Sequence, residues 1–163
     1  MQNGVSTQDV GAIPRPLAWL NIRRVVAIVA FAGLVALGSH IRVPIPGSPV
    51  PLTFQVIFVL LAGALLTPGA AVSSMALFVL AGIAGAPVFA AGGSGLLYLT
   101  GPTGGYLVGF IAGAAACALI LGGRKDSLAR LVLSMTVALA AIHLLGFAQL
   151  SNSVSSRALP KEC

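Results

Sequence analysis

Few residues of the chain have the types and spacing that catalysis requires. Gly92-Gly93-Ser94-Gly95 has the Gly-x-Ser-Gly form of an intramembrane serine protease, and His143 lies on a later apolar segment, where a general base would stand. A four-residue motif is weak evidence, however, and Ser94 lies in a glycine-rich loop and not at the start of a helix. Proteolysis is therefore kept only as an alternative, and we predict that the chain is not an enzyme.

Metal and nucleotide chemistry find no matching pattern either. Neither His40 nor His143 has a second His, Cys or carboxylate at ligand spacing, so no metal site is predicted. Cys117 lies inside an apolar run and Cys163 is the last residue, an arrangement that indicates neither a disulfide nor a metal site. No Gly-x-x-x-x-Gly-Lys-Ser/Thr phosphate-binding loop occurs, so we predict neither ATP binding nor a cofactor.

The composition predicts an integral membrane protein. Of the 163 residues, 58% are apolar or aromatic and only 7% are charged, against about 25% charged in an ordinary soluble domain. A bilayer solvates such side chains directly. The net charge of +6 does not indicate nucleic-acid binding, because the basic residues lie outside the apolar runs and form no basic face. Their placement instead indicates membrane orientation.

Glycine and proline residues divide the apolar sequence into five predicted spans, since one helical crossing takes about 20 residues. The predicted fold is an all-α membrane protein, a compact bundle of five transmembrane helices. The spans cover residues 25–38, 52–67, 70–86, 106–121 and 128–150. Residues 1–24 are predicted to be a cytoplasmic N-terminal segment and residues 151–163 a disordered polar tail. A secretory signal peptide is the alternative for the first apolar segment.

Lysine and arginine counts favour a cytoplasmic N-terminus. Six of the nine basic residues then lie inside: Arg15, Arg23, Arg24, Arg124, Lys125 and Arg130. Arg42 lies outside, and an odd number of spans also places Arg157 and Lys161 of the tail there. In this topology both irregular bends, at residues 41–51 and 87–105, lie on the outer side of the membrane.

The two bends predict a shared cavity, because non-helical backbone at a membrane is stable only where protein or water satisfies its polar groups. Tight turns between close-packed helices are the alternative. Residues 43–123 contain no Asp, Glu, Lys or Arg, and ion or proton pathways usually carry such residues within their spans. We therefore expect a small, largely neutral ligand.

Polar and aromatic residues near the bends supply candidate contacts for that ligand. Gln55 offers a donor and an acceptor to an amide-like or ureido group, or it bonds to a neighbouring helix. Phe89, Tyr98 and Tyr106 offer flat walls against a ring, or they anchor the protein at the membrane interface.

The first span carries small residues, with Ala32 and Ala36 at small-xxx-small spacing on one helical face. This spacing predicts close helix packing. The partner is either another span of this chain or a separate protein. A purely structural or assembly subunit is thus a further interpretation of the chain.

Four segments together are distinctive: IRVPIPGSPVPLTFQ (41–55), LLAGALLTPG (60–69), GAPVFAAGGSG (85–95) and GPTGGYLVGF (101–110). They resemble the BioY family of biotin transporters, over about residues 20–150. The resemblance implies a bacterial cytoplasmic-membrane protein that captures biotin, its transported substrate, as the S component of an energy-coupling factor (ECF) transporter. In that family a six-helix fold holds a pocket near the outer face, and cytoplasmic ATPases act through a separate coupling protein. Several members are also thought to work without that module.

The resemblance also implies roles for individual residues. Ala32 and Ala36 correspond to the alanine motif that packs against the coupling protein, and Gln55 and the 92–106 loop to pocket-forming segments. With the aromatic residue of the 85–95 segment and the nearby arginine, the predicted biotin-binding set is Arg42, Gln55, Phe89, Gly92, Gly93, Ser94, Tyr98, Gly101, Pro102, Thr103, Gly104, Gly105 and Tyr106.

One family feature is not matched. Members typically continue into a sixth helix with a Pro-x-Asp-x-x-Lys type motif, whose lysine suits the biotin carboxylate, whereas Lys161 and Glu162 lie in a short polar tail. We therefore expect the family fold with its last helix missing, from a premature end or a frameshift near codon 151. Biotin binding is expected to be impaired, because a charged hydrogen bond is worth about 1.5–3 kcal/mol. Arg42 either replaces that lysine or anchors to lipid headgroups.

Overall fold

The computed structural model describes residues 22–43, 46, 52–123 and 127–158. Within these residues the protein is almost entirely helical. The helices are α1 (Ile22–Gly38), α2 (Gln55–Leu65), α3 (Pro68–Ile83), the short α4 (Leu96–Leu99), α5 (Gly104–Leu121) and α6 (Leu128–Ala158). Two-residue strands β1 (Arg42–Val43) and β2 (Leu52–Thr53) pair antiparallel, with Arg42 opposite Thr53. A 3-10 turn covers Ala90–Gly92.

The helix ends follow from glycine and proline chemistry. The dipeptide Pro68-Gly69, which separates the predicted spans 52–67 and 70–86, opens α3 instead, because proline is tolerated in the first helical turn, where its missing N–H has no partner to lose. α5 ends at Gly122, which adopts a left-handed conformation with φ of 51°. α5 also begins at Gly104, two residues earlier than predicted.

Contacts between helices fix their directions. Arg24 at the start of α1 lies beside Gly69 at the start of α3, so these two helices run parallel. A Cβ placed at Gly63, late in α2, would lie 2.7 Å from Cβ of Cys117, late in α5, so α2 and α5 are also parallel. A Cβ at Gly38, the last residue of α1, would lie 3.0 Å from the backbone nitrogen of Gln55, the first residue of α2.

α5 and α6 pack antiparallel through a row of glycines on α5. Gly105, Gly109 and Gly113 recur at four-residue spacing, and a Cβ at Gly109 would lie 3.0 Å from the backbone of Ile142 on α6. Because glycine has no side chain, the two helix backbones can approach closely at these positions. The start of α5 consequently meets the later part of α6.

These directions give the bundle two distinct ends. The loop end collects the end of α1, the start of α2, the end of α3, the start of α5 and the later part of α6. The turn end holds the starts of α1, α3 and α6 and the short connections between α2 and α3 and between α5 and α6. The described parts of both irregular bends therefore lie at the same end, as the predicted topology requires.

Among the described residues, two helices are long and apolar enough to cross a membrane, by length and composition: α5 and residues Leu128–Ser153 of α6. α1, α2 and α3 have 17, 11 and 16 residues, fewer than the roughly 20 that a full crossing takes. Large apolar side chains are nevertheless exposed on all five long helices, such as Val29, Ile57, Leu80, Val108 and Phe147. A lipid environment would solvate such side chains.

The prediction of a disordered tail directly after residue 150 is wrong, because α6 continues to Ala158. The Ser151 hydroxyl donates to the carbonyl of Ala148, and the Ser153 hydroxyl donates to the carbonyl of Gln149, each at 2.9 Å. Polar side chains can thus bond within the helix that they extend, and extending an existing helix avoids the cost of nucleating a new one. Residues 159–163 and the N-terminal segment 1–21 lie outside the described residues.

Candidate functional site

The segment between α3 and α5, residues 84–103, is built around two aromatic rings, and we refer to it as the aromatic loop. Phe89 is fully buried, and its ring stacks on Tyr98 with centroids 4.9 Å apart and planes 26° apart. On its other side, Phe89 meets Phe78 of α3 edge to face, at 5.6 Å and 78°. The Tyr98 hydroxyl donates to the carbonyl of Ala90 at 3.1 Å. Two of the predicted aromatic residues are thus brought together.

Glycines give the aromatic loop its shape. A Cβ at Gly82 would overlap the Phe89 ring, and one at Gly93 would overlap the Tyr98 ring. The N–H of Gly95 donates to the carbonyl of Gly82 at 2.7 Å, which ties the loop to the end of α3. Gly92, with φ of 71°, adopts the left-handed conformation that glycine accepts without strain. Gly92 and Gly93, two of the predicted binding residues, therefore have a structural role.

Gln55 is the first residue of α2 and is only 3% exposed. Its Oε1 accepts a hydrogen bond from the Thr53 hydroxyl at 3.2 Å, so its partner lies in the same segment and not on a neighbouring helix. Its Nε2 has no hydrogen-bond partner among the described residues. A buried donor left without a partner costs about 1–3 kcal/mol. Gln55 therefore presents an unused donor at the loop end.

Arg42 reaches the same end through the small hairpin. It lies in β1 opposite Thr53, and the N–H of Phe54 donates to the carbonyl of Ile41 at 3.2 Å. The Arg42 side chain is exposed. The hairpin thus places a cationic side chain two residues away in register from Gln55.

The turn that precedes α5 is held by α6. Gly101, Pro102 and Thr103 form this turn, and Gln149 Nε2 donates to the carbonyls of Leu99, at 2.5 Å, and Gly101, at 2.8 Å. Sequence reasoning missed Gln149, because its partners lie 50 and 48 residues away along the chain and no local pattern connects them.

Glycines 104 and 105 and Tyr106 complete this contact between α5 and α6. A Cβ at Gly104 would overlap the Leu99 carbonyl, and a Cβ at Gly105 would overlap the carbonyl of a residue on α6. The Tyr106 ring covers Gly146, where a Cβ would lie 2.5 Å from it. It also meets the His143 ring edge to face, at 6.0 Å and 85°. Tyr106 thus packs against α6 and is not part of the Phe89–Tyr98 pair.

Ser94 and His143, the pair on which the alternative of a protease rests, are not assembled. Ser94 is exposed in the aromatic loop, and no hydrogen bond among the described residues joins it to His143. The Nδ1 atom of His143 lies 2.9 Å from the carbonyl oxygen of Leu139, one turn earlier on α6.

The described ranges contain no group of three or more His, Cys, Asp or Glu side chains that could hold a metal ion. Cys117 is a buried free thiol, with Sγ 3.6 Å from the Ser134 hydroxyl, whereas Cys163 lies outside the described residues.

The alanines of α1 differ in exposure. Ala32 is 7% exposed and belongs to the core of this chain, whereas Ala36 is half-buried. Gly33 is exposed, with no atom within 4 Å of the position that a Cβ would occupy. Ala32 thus already packs within the chain, Ala36 packs partly against the same core, and Gly33 between them is open.

Comparison with known proteins decides the family, since the model of the BioY family matches residues 9–161. The chain belongs to the BioY family. The biotin transporter BioY of Thermotoga maritima is 39% identical over 125 residues, which cover 77% of this chain and 72% of that protein. A probable biotin transporter BioY of Lysinibacillus sphaericus is 43% identical over 101 residues, 62% of this chain and 48% of that protein. For the probable transporter of Pyrococcus horikoshii the identity is 40% over 91 residues, 56% of this chain.

The BioY chain spans about half the length of the latter two relatives, 48% and 55%. A solved structure shares its fold: the crystal structure of the S-component for biotin from an ECF-type ABC transporter, with a TM-score of 0.75 and 20% identity. That match covers 82% of this chain and 74% of the other. It confirms the predicted all-helical, S-component-like architecture. Membership of a transporter family also confirms that this membrane protein is not an enzyme.

Proposed function

We propose that this BioY protein takes up biotin across the cytoplasmic membrane as the substrate-binding S component of an ECF transporter. The names of its relatives and its S-component fold support this function. The structural observation that carries it is the composition of the loop end, where a buried amide with an unused donor and a stacked aromatic pair lie at the same end of one bundle. Biotin offers the matching groups, a ureido carbonyl and an apolar fused ring.

In the proposed complex, Gln55 Nε2 donates to the ureido carbonyl of biotin. The half-buried Tyr98 ring, which is stacked on Phe89, contacts the fused ring. Glycines 92, 93, 101, 104 and 105 with Ser94, Pro102 and Thr103 shape the loop around the vitamin. The Arg42 guanidinium, exposed on the hairpin, pairs with the carboxylate of the valeryl chain.

We further propose that α1, α2, α3, α5 and α6 all cross the membrane, with the turn end in the cytoplasm. The exposed apolar side chains on all five helices support the crossing. The charge distribution supports the orientation, because Arg23, Arg24 and Arg130 lie at the turn end and Arg42 at the loop end. Biotin would then enter from outside.

Coupling to ATP hydrolysis requires separate subunits, and α1 is the proposed contact with the coupling protein. Because Ala32 is covered by this chain's own core, the contact would fall on Ala36 and the open Gly33 beside it. Close helix approach through small residues is the physical basis of such a contact.

Binding of radiolabelled biotin to the purified chain in lipid nanodiscs tests the proposal. We expect saturable binding that weakens when Gln55 is replaced by Ala and persists in Thr136→Val, a change on the exposed face of α6 whose hydroxyl bonds only to its own helix. Biotin methyl ester separates the roles of the two ends of the ligand. Arg42→Gln should weaken binding of the acid and leave binding of the ester unchanged. Absence of biotin binding would favour the assembly-subunit interpretation.

A further inference from the structure

Gln149 joins two elements that the sequence separates widely. From the later part of α6, its amide nitrogen donates to the carbonyls of Leu99 and Gly101, at 2.5 and 2.8 Å. Both hydrogens of one side-chain amide are thereby used on the same turn of the aromatic loop. A side chain with two bonds to one turn restrains that turn in direction as well as in distance.

The backbone around Gln149 is itself held firmly. A Cβ at Gly105 would lie 2.8 Å from Cβ of Gln149, and one at Gly104 would lie 2.7 Å from its Nε2. Glycine at both positions therefore lets α6 come close enough for the amide to reach the loop carbonyls. The position of the turn is consequently set by the position of α6.

The restraint continues from the turn to the aromatic pair. Leu99 directly follows Tyr98 in α4, and the Tyr98 hydroxyl in turn holds the carbonyl of Ala90, next to Phe89. The backbone N–H of Gly101 donates to the carbonyl of Tyr98 at 3.3 Å, and that of Gly104 donates to the carbonyl of Gly101 at 3.2 Å. A movement of α6 is thus transmitted through hydrogen bonds to the backbone of Tyr98.

We infer that Gln149 is a positioning residue, which couples α6 to the aromatic loop and sets how firmly the loop closes over a bound ligand. The ligand in this inference rests on the proposed function. The two hydrogen bonds from Gln149 to the carbonyls of Leu99 and Gly101, which we call the clamp, do not rest on the proposed function, because they form in the chain without ligand. Displacement of α6 along its axis would release both carbonyls together and open the loop.

Hydrogen–deuterium exchange of the full-length protein in nanodiscs tests the clamp without biotin. The variant Gln149→Glu keeps the side-chain shape at pH 8 but has no N–H donor and repels the two carbonyl oxygens. We expect backbone amides of residues 96–104 to exchange about tenfold faster, as a local opening would allow, while those of α2 and α3 stay as slow as in the wild type. Gln149→Met, which removes the donors without adding charge, should give the same pattern, and Thr136→Val on the same helix should leave exchange unchanged.

Biotin kinetics test the role of the clamp in closure. In both Gln149 variants the dissociation rate should rise about tenfold, equivalent to the loss of about 1.4 kcal/mol, with little change in the association rate. Equal protection of residues 96–104 in wild type and both variants would overturn the inference, as would a loss of protection spread evenly over all helices. If the wild type binds no biotin, the proposed function fails, and the exchange experiment alone decides whether the clamp exists.

Discussion

Replacing Gln55 with leucine should make the unliganded protein more stable and its biotin binding weaker. The Nε2 atom of Gln55 is buried without a partner among the described residues, and such a donor costs about 1–3 kcal/mol. The substitution also removes the hydrogen bond from the Thr53 hydroxyl, worth about 1 kcal/mol. The half-buried Thr53 can replace that bond with water. The expected net gain is therefore about 1 kcal/mol.

The effect on binding has the opposite sign. In the proposed complex the same Nε2 donates to the ureido carbonyl, so Gln55→Leu removes a hydrogen bond and leaves a buried ligand oxygen without a donor. Together these losses should be about 2 kcal/mol, which corresponds to roughly thirty-fold weaker binding. A glutamine that binds the ligand explains why its replacement would raise the stability of the unliganded protein and lower its affinity for biotin. A glutamine with only a structural role does not explain the loss of affinity.

Ser74→Ala is the matched control for this experiment. Ser74 is the other described residue with a buried, unpartnered side-chain atom, its hydroxyl oxygen, and it lies in the middle of α3. Its replacement should also stabilise the unliganded protein, with no change in biotin affinity. Stability is measured by SDS-induced unfolding in detergent micelles, and affinity by calorimetry. A Gln55→Leu protein that unfolds more easily than the wild type yet binds biotin normally would refute the assignment of Gln55.

Three other changes test the packing and the topology. Gly104→Ala should destabilise the protein by about 1–3 kcal/mol or more, because its Cβ would overlap the carbonyl of Leu99; a normal unfolding midpoint would contradict this. Phe89→Ala should cost about 3–5 kcal/mol, since the ring is fully buried between aromatic neighbours, and a cost below 1 kcal/mol in the same assay would contradict that packing. In a cysteine-free background, Val43→Cys should react with a membrane-impermeant maleimide in intact cells, and Ser127→Cys only after permeabilisation; labelling of both from one side would exclude the proposed topology.

Much of the fold could be predicted because apolar runs and their breakers are local signals. The predicted start of the last span, at residue 128, agrees with the start of α6. The predicted boundaries are wrong where tertiary contacts override the local preference of the sequence. Residues 52–53 form a short strand because the hairpin pairs them with 42–43. The four-residue spacing of Gly105, Gly109 and Gly113 is a local pattern typical of the close packing that α5 makes on α6.

The candidate site was less accessible from the sequence. Aromatic residues near a glycine-rich bend predicted contact with a ring, but only the structure separates the stacked Phe89 and Tyr98 from Tyr106, which packs on α6. That Gln55 Nε2 has no hydrogen-bond partner among the described residues could not be foreseen, because it depends on the tertiary positions of all the groups around it. Hydrogen bonds across about fifty residues, as made by Gln149, depend on the packing of whole helices and leave no local trace.

The middle of the bundle and its loop end differ in how easily they can change conformation when a ligand binds. Between the ends, α5 and α6 meet through glycine contacts with little room for adjustment, and interiors packed in this way resist deformation. The loop end instead holds the Gln55 Nε2 donor, which has no partner among the described residues, and a loop that includes Ala91 at φ of 63°, a backbone conformation that costs a non-glycine residue about 1 kcal/mol. Strained backbone of this kind clusters at ligand-binding and switch regions of proteins. A ligand that satisfies Gln55 should therefore order the loop end and leave the helices in place.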